Sequence, residues 1–161
     1  MTARSELVYL DYAATTPLDE AVLETMLGLQ KAGGDFANPS AIHPAGRRSS
    51  AHVDAAAAQL AGLLNTSPRQ LIWTSGATES NNLAIQGVAQ QRAHRGKHLI
   101  TMPTEHKAVT DVFGALEKRG FEVSWLAPDR HGRLDPAELA AELRDDTQLV
   151  SVMHVNNEIG V

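Results

Sequence analysis

The chain has 161 residues, of which 43% are hydrophobic and 20% charged, a formal net charge of −5 and no cysteine. Its length supports a sizeable core, while the acidic balance, without any run of basic residues, argues against nucleic acid as a main partner. The missing cysteine excludes disulfides, thiolate metal sites and a cysteine nucleophile within this sequence.

The opening residues "MTARSELVYL" hold no apolar stretch of signal-peptide length, and no span reaches the ~20 apolar residues of a membrane helix, so a cytoplasmic setting is expected. Val8 to Leu10 reads as a short strand. "DYAATTPLDE" then supplies a turn and a helix start, with Thr16 as candidate cap and Pro17 in the first helical position. Val22, Met26 and Leu29, flanked by Leu23 and Leu27, give that helix one apolar face, and Gly33-Gly34 end it. "DFANPSAIHPAG" is a loop, followed by an alanine-rich helix from about Arg47 to Leu64. Leu71-Ile72-Trp73 is an apolar run of strand type that turns abruptly into a helix over about Thr78 to Arg92.

Beyond it the sequence alternates: a strand over His98 to Met102, a helix over about Lys107 to Arg119 with Gly120 past its end, and a strand over Glu122 to Leu126. A helix starting at Asp135-Pro136-Ala137-Glu138 and a strand over Gln148 to Val155 follow. Asp135 as cap, Pro136 in the first position and Glu138 make a capping-box-like start. The strands are short continuous apolar runs, as in a parallel sheet covered on both faces, so the fold class is α/β.

"TSGATESNNLAI", Thr74 to Ile85, sits at a strand-to-helix junction. Ser75, Gly76, Ala77 and Thr78 are small, so the backbone can approach a ligand while the free amides of the helix start point at it, which suits an anion and above all a phosphate. No lysine follows the glycine as a Walker loop requires, and no further glycines complete a dinucleotide fingerprint. The other reading is an ordinary turn capped by Ser75 or Thr78. In a parallel sheet, ligands gather beyond the carboxyl ends of the strands. "TSGATES", "PTEHKA" and "HVNNEIG" all fall at such ends.

The ordered set "YLDYAATTP", "ANPSAIH", "TSGATESNNLAI", "TEHKAV", "LAPDRHGRLD" and "SVMHVNNEIGV" resembles the N-terminal part of the cysteine desulfurases, in the branch that serves general and nitrogenase iron–sulfur assembly, over about Val8 to Val161. The resemblance implies pyridoxal 5′-phosphate as cofactor and part of an aspartate-aminotransferase-like large domain, with residues 46–161 as the first part of that domain and residues 1–45 on the substrate side. It implies that Ala77 and Thr78 bind the cofactor phosphate, that His106 stacks on the pyridine ring and moves protons as a catalytic residue, and that Asn157 hydrogen-bonds the ring oxygen. Ala13, Ala14 and Thr15 match the segment that reaches the substrate pocket, and Asn156, Glu158 and Gly160 shape the loop carrying Asn157. Read without the family, His106 caps the next helix or is simply exposed, and Asn156-Asn157 is turn chemistry.

The family pattern also has a lysine that holds the cofactor as a Schiff base, an aspartate on the pyridine nitrogen and a loop cysteine that takes the sulfur. None of the lysines here, Lys31, Lys97, Lys107 and Lys118, stands in the matching motif, and Lys107 is read as solvated. The expectation is therefore a piece of such an enzyme, inactive by itself, whose strand before the phosphate turn lacks its sheet neighbours. For the complete enzyme the resemblance implies L-cysteine as substrate, a homodimer and sulfur-acceptor scaffold proteins. A selenocysteine lyase or aminotransferase of the same class, and a non-catalytic binding module, are the alternatives.

Overall fold

A computed structural model describes residues 8–161, so the first residues of the expected 1–45 segment lie outside the described residues. The chain divides into two compact units, the first ending at Trp73 and the second spanning Thr74–Val161.

The first unit carries two helices, α1 (Glu20–Gln30) and α2 (Pro44–Leu63), and a short 3₁₀ turn, Pro68–Gln70. Val8 to Leu10 forms no strand, because no partner among the described residues offers a ladder there. Asp19, not Thr16, caps α1: its Oδ1 accepts from the Ala21 amide at 2.9 Å. A carboxylate is the stronger acceptor at the positive end of a helix, and Glu20 adds a second negative charge in the first turn. α2 begins at Pro44 because His43 caps it, with Nδ1 accepting from the Gly46 amide at 3.1 Å, and because a proline in the first turn has no amide to leave unpaired. Asp35 fastens the preceding loop to α2 by accepting from Arg48 Nε at 2.8 Å and pairing with His52 Nε2 at 2.9 Å. Leu71-Ile72-Trp73 joins no ladder, and Ile72 and Trp73 are exposed.

The second unit contains α3 (Ala77–Arg92), β1 (His98–Thr101), α4 (Lys107–Glu117), β2 (Glu122–Trp125), α5 (Pro136–Glu142) and β3 (Thr147–Val150). The three strands form one sheet in the order β2-β1-β3, and both pairings are parallel. β1 lies in the middle with all four residues buried. Leu99 faces a core built from Ile85 and Ala89 of α3 and Val109, Val112, Phe113 and Leu116 of α4. The opposite face of the sheet meets α5, where Ser124 donates to Glu142 at 2.8 Å. Both faces of β1 are covered, which is why all four of its residues, His98, Leu99, Ile100 and Thr101, are buried.

α4 ends where expected, since Gly120 takes φ 84 and lets the Phe121 amide reach back to the Leu116 carbonyl at 3.1 Å. α5 is capped by Asp135, whose Oδ1 accepts from the Ala137 amide at 2.8 Å. β3 stops at Val150 instead of running to Val155. Its partner β1 ends at Thr101, so after the Ser151 amide bonds to the Ile100 carbonyl at 2.9 Å nothing remains to pair with.

Candidate cofactor site

The short connection 93–97 between α3 and β1 reverses the chain. The N-terminus of α3 therefore points to the end of the sheet where the parallel strands finish, the side on which α/β proteins hold ligands. Gly76 occupies the cap position with no side-chain cap. The first intrahelical bond runs from the Ser80 amide to the Gly76 carbonyl at 3.1 Å, so the amides of Ala77, Thr78 and Glu79 have no partner within the helix. Neither Ser75 nor Thr78 caps the helix, which corrects the capping residues expected for this turn. Ser75 is instead the donor, giving Glu79 a bond from its amide at 2.6 Å and one from its hydroxyl at 2.7 Å.

These two bonds hold the Glu79 carboxyl below the usual carboxylate range, the hydroxyl contributing most. The ionised Glu79 cancels part of the helix's positive end, which leaves directed donors as the source of anion selectivity. Those donors are the free amides and the Thr78 hydroxyl. A Cβ built on Gly76 meets nothing within 4 Å, so the approach to the amides is open. The donor set suits a phosphate: three free N–H groups stand at the positive end of a sixteen-residue helix, with the Thr78 hydroxyl in its first turn.

His106 stands at the N-cap of α4, directly beyond β1. Its Nδ1 accepts from the Ala108 amide at 3.0 Å. The capping role foreseen from the residue alone is thus real, and it has a chemical consequence. An imidazole that accepts at Nδ1 carries its proton at Nε2 when neutral, and the cap leaves Nε2 without a hydrogen-bond partner among the described residues on an exposed side chain. Lys107 turns away and pairs with Asp111 at 3.0 Å, so it is a solvated lysine.

The loop after β3 carries Asn156 and Asn157. Asn157 is exposed and donates from Nδ2 to its neighbour Glu158 at 3.0 Å. Asn156 is buried, and its Nδ2 donates to the Thr104 carbonyl at 2.8 Å in the loop after β1. The loops that carry His106 and Asn157 are therefore joined directly. No hydrogen bond among the described residues ties Ala77 or Thr78 to either loop. Between Thr104 and His106, Glu105 is part-buried; burial pushes its carboxyl up, against the opposing pull of the Met153 amide, and its Oε1 has no partner. Sequence reasoning missed both Glu105 and the role of Asn156 across the loops, because the contacts join residues on different strands.

It also missed His98. This side chain is fully buried on β1, with Nδ1 2.7 Å from Thr147 Oγ1 of β3 and Nε2 3.0 Å from Ser124 Oγ of β2. Ser124 spends its proton on Glu142 and Thr147 accepts from the Arg144 amide at 2.8 Å. His98 must then donate from Nε2 and accept at Nδ1, which satisfies every group in the chain of bonds. It lies at the amino end of the strands, away from the candidate site, and holds the sheet together. The strand expected to start at His98 is the one observed, and the structure adds that the His98 side chain is buried between the neighbouring strands.

A parallel α/β unit with an uncapped helix N-terminus and two joined polar loops at the carboxyl end of its sheet has the layout in which α/β proteins hold their ligands. Residues 8–161 match the model of the aminotransferase class-V family, and the chain belongs to that family. It is 53% identical over 154 residues to the cysteine desulfurase IscS of Pseudomonas savastanoi pv. phaseolicola (strain 1448A / Race 6), an alignment that covers 95% of this chain and 38% of that protein. Among solved structures it is similar to a NifS-like protein with a TM-score of 0.89 and 37% identity, covering 95% of this chain and 42% of that one. SspA in complex with cysteine gives a TM-score of 0.84 and 41% identity, over 93% of this chain and 43% of that one. The chain thus spans 38% of the length of the curated relative it matches. Its fold is the corresponding part of the aspartate-aminotransferase-like large domain.

Proposed function

We propose that this chain is the N-terminal portion of a pyridoxal-phosphate-dependent cysteine desulfurase, which converts L-cysteine to L-alanine and passes the sulfur to a protein thiol outside these 161 residues. The observation that carries this reading is the α3 N-terminus, where free amides and the Thr78 hydroxyl face open space beside a sequence that is desulfurase-like throughout. When bound, the cofactor supplies an electron sink for the reacting amino acid. Ala77 and Thr78 would hold its phosphate, Asn157 would donate to its ring oxygen, and His106 would lie against its ring. The free Nε2 of His106 is the atom that holds or delivers a proton. By family likeness, residues 1–45 serve the substrate side and residues 46–161 begin the large domain. The same likeness supports a cytoplasmic homodimer that hands sulfur to scaffold proteins for iron–sulfur cluster assembly.

By itself the chain is expected not to release alanine from cysteine. Supplying the remainder of the family's pattern in trans should restore that release. Association of the two pieces without activity would favour a binding module instead.

Thr78 allows a sharper test of the phosphate contact. Since the structure gives it no capping bond, Thr78→Val should leave α3 intact and remove one charge-assisted bond of roughly 1.5–3 kcal/mol. In the reassembled enzyme the preference for pyridoxal phosphate over pyridoxal should fall roughly tenfold to a hundredfold, and Thr78→Ser should keep it. An unchanged preference in Thr78→Val would leave the backbone amides as the only donors.

A further inference from the structure

We propose that Asn156 is a positioning residue that sets the orientation of the His106 ring from the opposite loop. The inference rests on the cofactor-site reading for its purpose, and on geometry for its mechanism. Asn156 is 9% exposed and almost fully engaged. Its Oδ1 accepts from the amides of Glu158 and Ile159 at 2.8 and 3.1 Å, closing the loop that presents Asn157. Its own amide donates to the Val161 carbonyl at 2.7 Å, and its carbonyl accepts from Gly160 at 2.8 Å. With the loop on one side closed in this way, Nδ2 reaches across to the Thr104 carbonyl at 2.8 Å.

Thr104 lies two residues before His106 in a loop with few other anchors: the Glu105 amide bonds to the Met102 carbonyl at 3.3 Å, and the Glu105 carboxyl meets the Met153 amide while lacking a partner at Oε1. The Asn156 bond is thus one of two ties, with the Met153 amide on Glu105, that stop the Thr104–His106 segment from pivoting on β1. Only a side chain with both an acceptor and a donor does this work: the acceptor builds one loop while the donor holds the other. A site whose supporting residues are loose loses function through misplacement of groups that are themselves intact. Asn156 couples the two groups assigned to the cofactor ring, Asn157 and His106, into one unit.

The test uses the full chain with Asn156→Asp and Asn156→Ser. Aspartate removes the donor to Thr104, and serine shortens the side chain so that its single hydroxyl cannot serve both loops, while each keeps an acceptor for the Glu158 amide. The readout is the ring nitrogen signal of His106, assigned with a His106 variant, together with amide exchange at Ala108. The unaltered chain should show the Nε2–H form. Each variant should shift toward a mixture of tautomers and exchange the Ala108 amide at least tenfold faster, with Glu158 exchange little changed in Asn156→Asp. An unaltered His106 signal in a folded variant overturns the proposal. So does failure of both variants to fold, because Asn156 would then determine the fold and not one loop's orientation. Pyridoxal phosphate binding is measured alongside in the reassembled enzyme: if that enzyme does not bind it, the cofactor reading fails while the tautomer result stands.

Discussion

In the reassembled enzyme, His106→Ala is expected to slow alanine formation by ~10²–10⁴-fold, the usual cost of losing a positioned acid or base, with a much smaller loss of bound cofactor. The structure complicates that experiment, because His106 also caps α4 through Nδ1. Removing the cap should by itself cost about 1 kcal/mol. His106→Asn separates the two roles, since asparagine is among the best capping residues and cannot exchange a proton near neutral pH. It should recover the thermal stability lost in His106→Ala while staying as slow. Initial rates of alanine release, set beside cofactor content and unfolding temperature, decide the matter. Rate and cofactor content falling by the same factor in both variants would mean that the ring only holds the cofactor in place.

Acid should weaken the sheet through His98, and the effect should begin below the ordinary imidazole value of 6.5. Burial holds the His98 ring below that value and the neighbouring Arg144 adds to the effect, while Asp146, Glu122 and Glu142 pull the other way. The folded state therefore prefers the neutral ring, and between its lowered value and 6.5 the unfolded chain binds more protons. Stability from this group is fully present above that range and is lost as pH falls through it. Structurally, a proton on Nδ1 would meet the Thr147 hydroxyl, whose own hydrogen would then have to leave its place in the network. His98→Ala removes the pH step and leaves the Ser124 and Thr147 hydroxyls without their partner, at a cost of about 3 kcal/mol at neutral pH. Urea unfolding of the chain from pH 5 to pH 8 checks both statements. A midpoint that falls in acid as steeply in His98→Ala as in the unaltered chain would assign the acid sensitivity to other groups.

The local features were legible in the order of residues. Asp135-Pro136 starts α5, Gly120 follows α4, and the small-residue turn at Ser75 to Thr78 begins α3, each through chemistry that acts within one helical turn. The α/β class was legible because β1, α4, β2, α5 and β3 each carry their own periodicity. Where two capping groups compete within a few residues, as Thr16 and Asp19 do, the pattern alone did not choose between them, and the carboxylate won.

Register and contact between distant segments were another matter. The length of β3 depends on where β1 ends, which nothing in residues 151–155 encodes. His98, Ser124 and Thr147 lie far apart in the chain and meet only because three parallel strands align at one level. The Asn156 bond to Thr104 forms for the same reason, at the other end of the same strands. The sequence by itself determined the helices and the places of the three paired strands, the family and the residue types offered to a cofactor, since caps, turns and apolar periods act over a few residues. Tertiary structure alone decided which polar groups are buried together, because a hydrogen bond between strands exists only once sheet register has brought its donor and acceptor within about 3 Å.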